Sequence, residues 1–559
     1  MNAESATQTG ARFPQADFVA LGMVLAFALV TLVRCLAVDN SVVFHDEYVY
    51  KISGDRLVDQ PTVIGRGLAP QIPNRLFLRV YGLTSEFGSN AYLGAQFLNV
   101  LFLAMGLWAL YRLAQRTGLS DTRALGFLGA AALLPLSAYA KYFMPEAMFF
   151  GLFCVAAYAL LTGVLRRGPL ALFLGGAVMG SMYFVKPHAA PLIAATAFYL
   201  LLLPDRVGFL AWFIMGVGTT FGLGKLLTRV PEAQGSSLGA YREMLDGLLA
   251  KLTTHADFQH GLGKDLLEVG AGHGLFLLCA FGLSALVAVS VLVPALKLRE
   301  ADRPVTVELR RLTLFLVVVS AALVGMAVLF TVLVGEVGRV HSRYYFFLYP
   351  LALLVLFHLP SLRLSLGGKI VGLVLVVAGA TLMLQFGPGY SGVLPISVVS
   401  DGPEWGFVFF SKNVFFAILG AFALTGTWAV LQPRRAPFFI AALCVASVIS
   451  GAYVTNAQKT IYRGPFTTGR EAVTVETFLG HEAMNTALVL GENRDVVSKF
   501  LFFLTTAPFA QQLPSGTNLG ELLPGRPEIT SVILLSDAYV LPPELRCTLQ
   551  FPGVKVCLR

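Results

Sequence analysis

Two adjacent carboxylates, Asp46 and Glu47, follow the first long apolar run of the chain, in the segment VVFHDEYVYK. Tyr48 comes directly after them. A carboxylate that is partly desolvated beside a membrane could accept a proton from a hydroxyl nucleophile. The alternative interpretation is a solvated pair of acids at the interface. The first interpretation predicts a general base in this segment and leaves open which of the two acids it is.

A third acid, Glu146, lies in the segment AKYFMPEAMFF between two apolar runs. Pro145 precedes it and is typical of a helix start, where an acidic side chain interacts favourably with the helix dipole. Glu146 is therefore either a helix-terminal residue only or a second acid in the same layer as Asp46.

Lys186 and His188 interrupt an apolar stretch in the segment YFVKPHAAPL. An ionisable side chain at membrane depth is costly, which makes it a functional candidate by default. The alternative is that Lys186 extends to the interface, with its stem buried and its charge in water.

Cations and aromatic residues are packed together in the segment GEVGRVHSRYYFFLYP. Arginine grips phosphate oxygens with a planar fork, and lysine supplies a point charge. A phosphate bound near Arg339, His341, Arg343 and Tyr344 would explain this cluster. Interface anchoring by tyrosine and arginine is the alternative.

The composition indicates what must position these residues. The chain has 559 residues, of which 56% are hydrophobic and 13% charged, and its mean hydropathy is +0.72. These values predict a polytopic membrane protein. The net charge is +9, but the basic residues are scattered through short loops. This distribution argues against nucleic acid as a partner.

Apolar runs of about 20 residues predict thirteen transmembrane helices. They lie at 17–38, 90–112, 122–140, 144–165, 169–185, 188–203, 207–227, 272–296, 311–334, 343–359, 366–385, 410–431 and 436–455. With the N-terminus in the cytoplasm, most compact basic clusters fall on the cytoplasmic side, as the positive-inside rule requires. The loop 39–89 and the tail then lie outside, together with the candidate residues.

The chain is expected to form a transmembrane domain, 1–455, and an extracytoplasmic domain, 456–559. The segment 74–88 has apolar residues at helical spacing, which predicts an amphipathic helix along the membrane surface. Alternating helical and strand patterns predict a small α/β tail. Cys547 and Cys557 are expected to form a disulfide if the tail faces an oxidising compartment.

These motifs resemble those of the GT-C superfamily of integral membrane glycosyltransferases, in particular its bacterial lipid-carrier-dependent branch. The resemblance rests on FHDEYVYK after the first span, MPEAM between the third and fourth, VKPH after the fifth, and the aromatic, basic RYYFFLYP. The helix count, the helix in the first outer loop and the outer C-terminal domain also match.

The resemblance implies transfer of a sugar from a polyprenyl phosphate to an acceptor hydroxyl, with inversion. The reaction would take place at the outer face of a bacterial cytoplasmic membrane. The acceptor would be an envelope lipid, glycan or protein. The catalytic residues implied are Asp46, Glu47 and Glu146. The substrate-binding residues implied are Lys186, His188, His341, Arg343, Tyr344 and Tyr48. No His or Cys ligand spacing is present, and a divalent cation held by Asp46 and Glu146 is left open.

Two other functions use similar features. A flippase for lipid-linked sugars would also have intramembrane charges and a central cavity, but the two halves of the chain show no repeat. A ligase or polymerase using polyprenyl pyrophosphate would require more outer arginines than Arg339, Arg343 and those of the first outer loop.

Overall fold

A computed structural model describes the protein over residues 14–37, 47, 50–51, 74–227, 256–299, 306–333, 339–385, 399–400, 411–461, 470–504, 508–551 and 553–559. Its helices, in chain order, are α1 (Pro14–Ala37), α2 (Arg75–Gly82), α3 (Ala91–Arg116), α4 (Asp121–Leu133), α5 (Glu146–Arg166), α6 (Pro169–Tyr183), α7 (Ala189–Leu201), α8 (Arg206–Leu227), α9 (Ala256–Leu292), α10 (Val307–Leu333), α11 (Tyr349–Leu356), α12 (Leu366–Gln385), α13 (Lys412–Leu431), α14 (Ala436–Ile461), α15 (Arg470–Asn485), α16 (Arg494–Phe502) and α17 (Leu519–Leu522).

Within the ranges that the structure describes, eight helices are long and apolar enough to cross a membrane. The number rises to ten if two bent pairs are each one span. Helices α6 and α7 and the segment Phe346–Ser361 are shorter. At 15 and 13 residues, α6 and α7 reach about 23 and 20 Å, less than the roughly 30 Å of a hydrocarbon core. The polytopic helical architecture is confirmed, and the count of thirteen spans is not.

Close backbone contact between α6 and α8 holds α6 in place. A Cβ atom on Gly176 would lie 2.2 Å from the Phe213 carbonyl oxygen, and one on Gly216 would lie 2.1 Å from that of Phe173. Only glycine allows this approach, which is the usual way in which membrane helices pack tightly. The crossing fixes the helix that ends just before Lys186.

The predicted amphipathic segment forms α2, followed by a 3₁₀ helix at Leu83–Asn90. Phe77, Leu78 and Tyr81 are buried against the bundle, whereas Leu83 is exposed. The amide of Leu76 also donates to the Phe184 carbonyl at 2.8 Å. Helix α2 is thus packed onto the transmembrane helices through one aromatic face.

The C-terminal residues form the small α/β domain that the sequence predicts. Its strands within the described residues are β3 (Ala487–Gly491), β4 (Phe509–Gln512), β5 (Ser531–Leu534), β6 (Arg546–Phe551) and β7 (Val554–Leu558), with the order β4-β3-β5-β7-β6. The first three are parallel, and β7 runs antiparallel to β5 and β6. A short parallel pair, β1 (Arg339–Val340) and β2 (Val399–Ser400), lies outside this sheet.

Cys547 and Cys557 face each other on β6 and β7 and form a disulfide. Cys35, Cys154 and Cys444 are buried and form no disulfide among the described residues. The boundary between the two domains at 455 and 456 stays a prediction.

Candidate active site

A buried ion pair joins Glu146 and Lys186. Glu146 is the first residue of α5, and Lys186 lies in the turn between α6 and α7. The Nζ atom of Lys186 donates to Oε1 of Glu146 at 2.8 Å, and the residues are 7% and 3% exposed. The second oxygen of Glu146 has no hydrogen-bond partner among the described residues. The structure thus brings together two candidates that are far apart in the sequence.

Pro145 is the N-cap of α5, and its carbonyl accepts from the Phe149 amide at 2.8 Å, so the predicted helix start is confirmed. The carboxylate of Glu146 accepts a hydrogen bond from Lys186, which lies outside this helix. Its pairing with Lys186 therefore goes beyond the favourable interaction of an acid with the helix dipole.

Tyr344 lies at the centre of the remaining cations. Its ring stacks on His188, with centroids 4.2 Å apart, and on His341 at 5.4 Å. The Nζ atom of Lys186 lies 5.2 Å from the ring centroid, and Cζ of Arg343 lies 5.6 Å from it. Cations at such distances interact favourably with the electron-rich face of a tyrosine ring. The structure thus brings all five predicted substrate-binding residues that it describes into one cluster with Glu146.

The first acidic motif reaches the same region through Glu47. Its side chain is completely buried, and Oε2 accepts a hydrogen bond from the Phe143 amide at 2.7 Å. Phe143 lies three residues before Glu146 in the turn that leads into α5. The hydrogen bond ties the segment at Glu47 to the turn that leads into α5. Asp46 and Tyr48 lie outside the described residues.

The turn before α5 is also stabilised by residues that the sequence analysis did not single out. Asn99 on α3 donates from Nδ2 to the carbonyls of Ala140 and Tyr142, at 3.2 and 2.6 Å. The Tyr81 hydroxyl donates to Oδ1 of Asn99. Burial raises the pKa of Tyr81 well above its ordinary value, and nearby Glu146 raises it further, so this hydroxyl remains a donor. The available sequence signal was an asparagine within an apolar run.

The C-terminal domain also contacts the turn. Phe502, at the end of α16, packs edge-on against Phe143 with centroids 5.9 Å apart and against Tyr92 at 5.4 Å. The Nζ atom of Lys51, from the first outer loop, lies 6.0 Å from the Phe502 ring. One aromatic side chain of the tail therefore contacts both segments that carry candidate acids.

A small cavity opens between these groups. Its polar lining comes from Glu146, Lys186, His188 and Arg343, and Phe149 is among its aromatic walls. Its volume is about 10 Å³, which is the room that a single water needs. A sugar phosphate would require the cavity to widen. The lining nevertheless combines a carboxylate with several cations, as expected of a site that binds an anion and handles a proton.

The described residues contain no group of three His, Cys, Asp or Glu side chains that could hold a metal ion. The predicted alternative of a divalent cation between Asp46 and Glu146 is untested, because Asp46 lies outside these residues. One oxygen of Glu146 already accepts from Lys186.

No protein-family model matches the chain. No curated protein matches it either. Solved structures do. Apo ArnT from Cupriavidus metallidurans matches with a TM-score of 0.52 and 14% identity, over 97% of this chain and 98% of that one. The same protein bound to undecaprenyl phosphate matches with a TM-score of 0.51, at the same identity and coverage. Arabinosyltransferase EmbB from Mycobacterium smegmatis gives 0.43, at 13% identity over 86% and 45% of the two chains.

The fold assignment rests on the two ArnT structures, which span almost the whole of both chains. These structural neighbours are GT-C membrane glycosyltransferases, as the sequence motifs predicted. The chain therefore has the GT-C fold of ArnT, a multi-pass helical membrane domain followed by a small C-terminal sheet domain.

Proposed function

We propose that this protein is an inverting glycosyltransferase that moves one sugar from a polyprenyl phosphate to a hydroxyl acceptor. The observation that carries the proposal is the buried Glu146–Lys186 pair beside Tyr344 and Arg343. The shared fold supports it, since one of the matching ArnT structures is bound to undecaprenyl phosphate.

Lys186 and Arg343 would bind the carrier phosphate. Both cations lie against the Tyr344 ring, and both line the same cavity. During the reaction the bond between the anomeric carbon and the phosphate oxygen breaks, and negative charge grows on the phosphate. Preorganised cations stabilise that charge most strongly where water is excluded. His188 and His341 stack on the Tyr344 ring and would orient that ring.

The acceptor hydroxyl would attack the anomeric carbon from the opposite side and lose its proton to a carboxylate. We assign this base to Asp46. Glu47 is completely buried and holds the Phe143 amide, which supports a positioning role for it. The new glycosidic bond then has inverted configuration, and polyprenyl phosphate is the leaving group. The Oε2 atom of Glu146, which has no hydrogen-bond partner among the described residues, would accept a hydrogen bond from a substrate hydroxyl.

The reaction would take place at the outer face of a bacterial cytoplasmic membrane. The positive-inside pattern supports a position of the candidate residues and the tail on that side. The Cys547–Cys557 disulfide supports this orientation, since disulfides persist in oxidising compartments. The acceptor would be an envelope lipid, glycan or protein.

The test is transfer of labelled sugar by purified protein in liposomes. Lys186→Met should abolish transfer. Arg112→Met is the control, because Arg112 forms a 2.9 Å ion pair with Asp17, partly exposed, at the opposite end of the bundle. This control should retain transfer. Equal activity of the two variants would refute the assignment of the site.

A further inference from the structure

An apolar groove runs along the outside of the bundle between α4 and α14. On α4 it is lined by Gly126, Gly129, Ala130 and Leu133, which share one helix face at i, i+3, i+4 and i+7. The groove has a volume of about 590 Å³. Gly126 and Gly129 have no side chain, so the surface of α4 is recessed there. Unlike the cavity at Glu146, this groove is large enough for a hydrocarbon chain.

The residues of α14 that line the groove also share one face of their helix. This face runs from Pro437 through Ile440, Cys444 and Val448 to Ile449, a length of about 18 Å at 1.5 Å per residue. Half of a hydrocarbon core is about 15 Å. The floor is closed by the Cys444 thiol, which contacts the Ala130 carbonyl at 3.8 Å. The groove therefore has the depth of one membrane leaflet.

Cations surround the mouth of the groove. Arg123, Ser361 and Arg434 line a cavity of about 480 Å³ there, and Nη1 of Arg123 donates to Oγ of Ser361 at 2.8 Å. Arg363 and Lys369 line an adjoining cavity of about 360 Å³ together with Arg434. Among the described residues that line these two cavities, none is acidic.

We propose that this groove binds an anionic phospholipid of the bilayer. Its phosphate would lie against Arg123 and Arg434, and an acyl chain would fill the space between α4 and α14. Basic pockets between transmembrane helices bind anionic lipid head groups in this way. Arginine suits the role because its guanidinium grips phosphate oxygens in pairs.

The position favours a bilayer phospholipid over the sugar carrier. Arg123 is at the start of α4, whereas α4 and the following 3₁₀ helix lead towards Glu146 at the other end of the bundle. The cationic mouth of the groove and the candidate active site thus lie at opposite ends of the bundle, and this lipid site does not depend on the proposed reaction.

The test uses the full-length protein, delipidated in detergent and titrated with phosphatidylglycerol under native mass spectrometry. One phosphatidylglycerol should bind per chain, in preference to phosphatidylcholine. The double variant Arg123→Gln/Arg434→Gln should bind it about 30-fold more weakly, from the usual contribution of two basic residues at a lipid surface. Arg435→Gln is the matched control, since Arg435 lies over the Trp428 ring at 5.4 Å and lines none of these cavities.

A second variant tests the apolar part separately. Ala441 is exposed and lines the groove, so Ala441→Trp should fill it without disturbing the fold and should displace the lipid with all cations intact. Unchanged phosphatidylglycerol binding in both variants would overturn the proposal. So would equal binding of phosphatidylcholine. Displacement of phosphatidylglycerol by one equivalent of undecaprenyl phosphate would assign the groove to the sugar carrier and likewise contradict the proposal.

Discussion

The Nζ atom of Lys186 lies 2.8 Å from Oε1 of Glu146, and the two side chains are almost completely buried. The residues are 40 positions apart and come together at the ends of α6 and α5. Such a pair adds little stability by itself, because removing two charges from water offsets their attraction. Its neighbours, Tyr344 and Arg343, make it the centre of the proposed phosphate site.

Removing one charge of this pair should cost both stability and activity. Lys186→Met or Glu146→Gln leaves a buried charge without its partner, which typically costs about 3–5 kcal/mol. The double variant Glu146→Gln/Lys186→Met has no buried charge and should regain most of the melting temperature while transfer stays absent. Thermal unfolding and the transfer assay, run side by side, measure this. Recovery of activity in the double variant would show that the pair is structural only.

The two acids of the first outer loop should behave differently. Asp46→Asn should lower kcat about 100- to 10,000-fold, the usual contribution of a general base, and leave the melting temperature unchanged. Glu47→Gln weakens a charge-assisted hydrogen bond to the Phe143 amide, and it should therefore lower stability by about 1–3 kcal/mol. The roles are reversed if Glu47→Gln is fully stable but inactive and Asp46→Asn is active.

Asn99 should matter because it fixes the turn before Glu146. Asn99→Ala leaves the buried carbonyls of Ala140 and Tyr142 without this donor, at a cost of about 1–3 kcal/mol for each unsatisfied group. We expect a lower melting temperature and a lower kcat. Thr219→Ala is the control, since that exposed hydroxyl donates to the Met215 carbonyl within its own helix. A normal kcat in Asn99→Ala would show that catalysis does not depend on the hydrogen bonds from Asn99 to this turn.

Phe502 should couple the C-terminal domain to the reaction. Phe502→Ala removes ring contacts with Phe143 and Tyr92, and a buried phenylalanine truncated to alanine typically costs about 3–5 kcal/mol. The expected result is a reduced kcat with unchanged binding of polyprenyl phosphate. Phe478→Ala on α15 is the matched control, because Phe478 is 49% exposed. An unchanged kcat in Phe502→Ala would contradict a coupling of the C-terminal domain to the reaction through Phe502.

The Cys547–Cys557 disulfide gives a test of orientation. After mild reduction of intact cells, a membrane-impermeant maleimide should label Cys547, which is exposed, whereas the buried Cys557, Cys154 and Cys444 should stay unlabelled. Labelling only after the cells are opened would place the tail in the cytoplasm. That result would also reverse the orientation of the proposed active site.

The sequence predicted those features that depend on residue type and periodicity. Apolar runs predicted the helical membrane domain, and the Pro145–Glu146 pair predicted the start of α5. The strand patterns of the tail predicted its sheet. The sequence signal for the candidate residues Glu146, Lys186, His188, His341, Arg343 and Tyr344 is that ionisable side chains are rare in or beside apolar segments.

Tertiary contacts could not be predicted in the same way. The sequence gives no distance between Lys186 and Glu146, and nothing in it pairs Asn99 with the turn at 140–142. The contact of Phe502 depends on how the tail docks. The short helices α6 and α7 were counted as full spans because hydropathy does not show where the VKPH turn ends a helix.

The most direct test of the central claim is a product analysis in sealed liposomes. Polyprenyl phosphate carrying a labelled sugar is supplied with outer-envelope acceptors, and both products are quantified. The account predicts that the label joins the acceptor with inverted anomeric configuration, that one polyprenyl phosphate is released per sugar, and that Asp46→Asn and Lys186→Met stop both. Label that stays on its carrier and only crosses the bilayer would contradict the account and indicate a flippase.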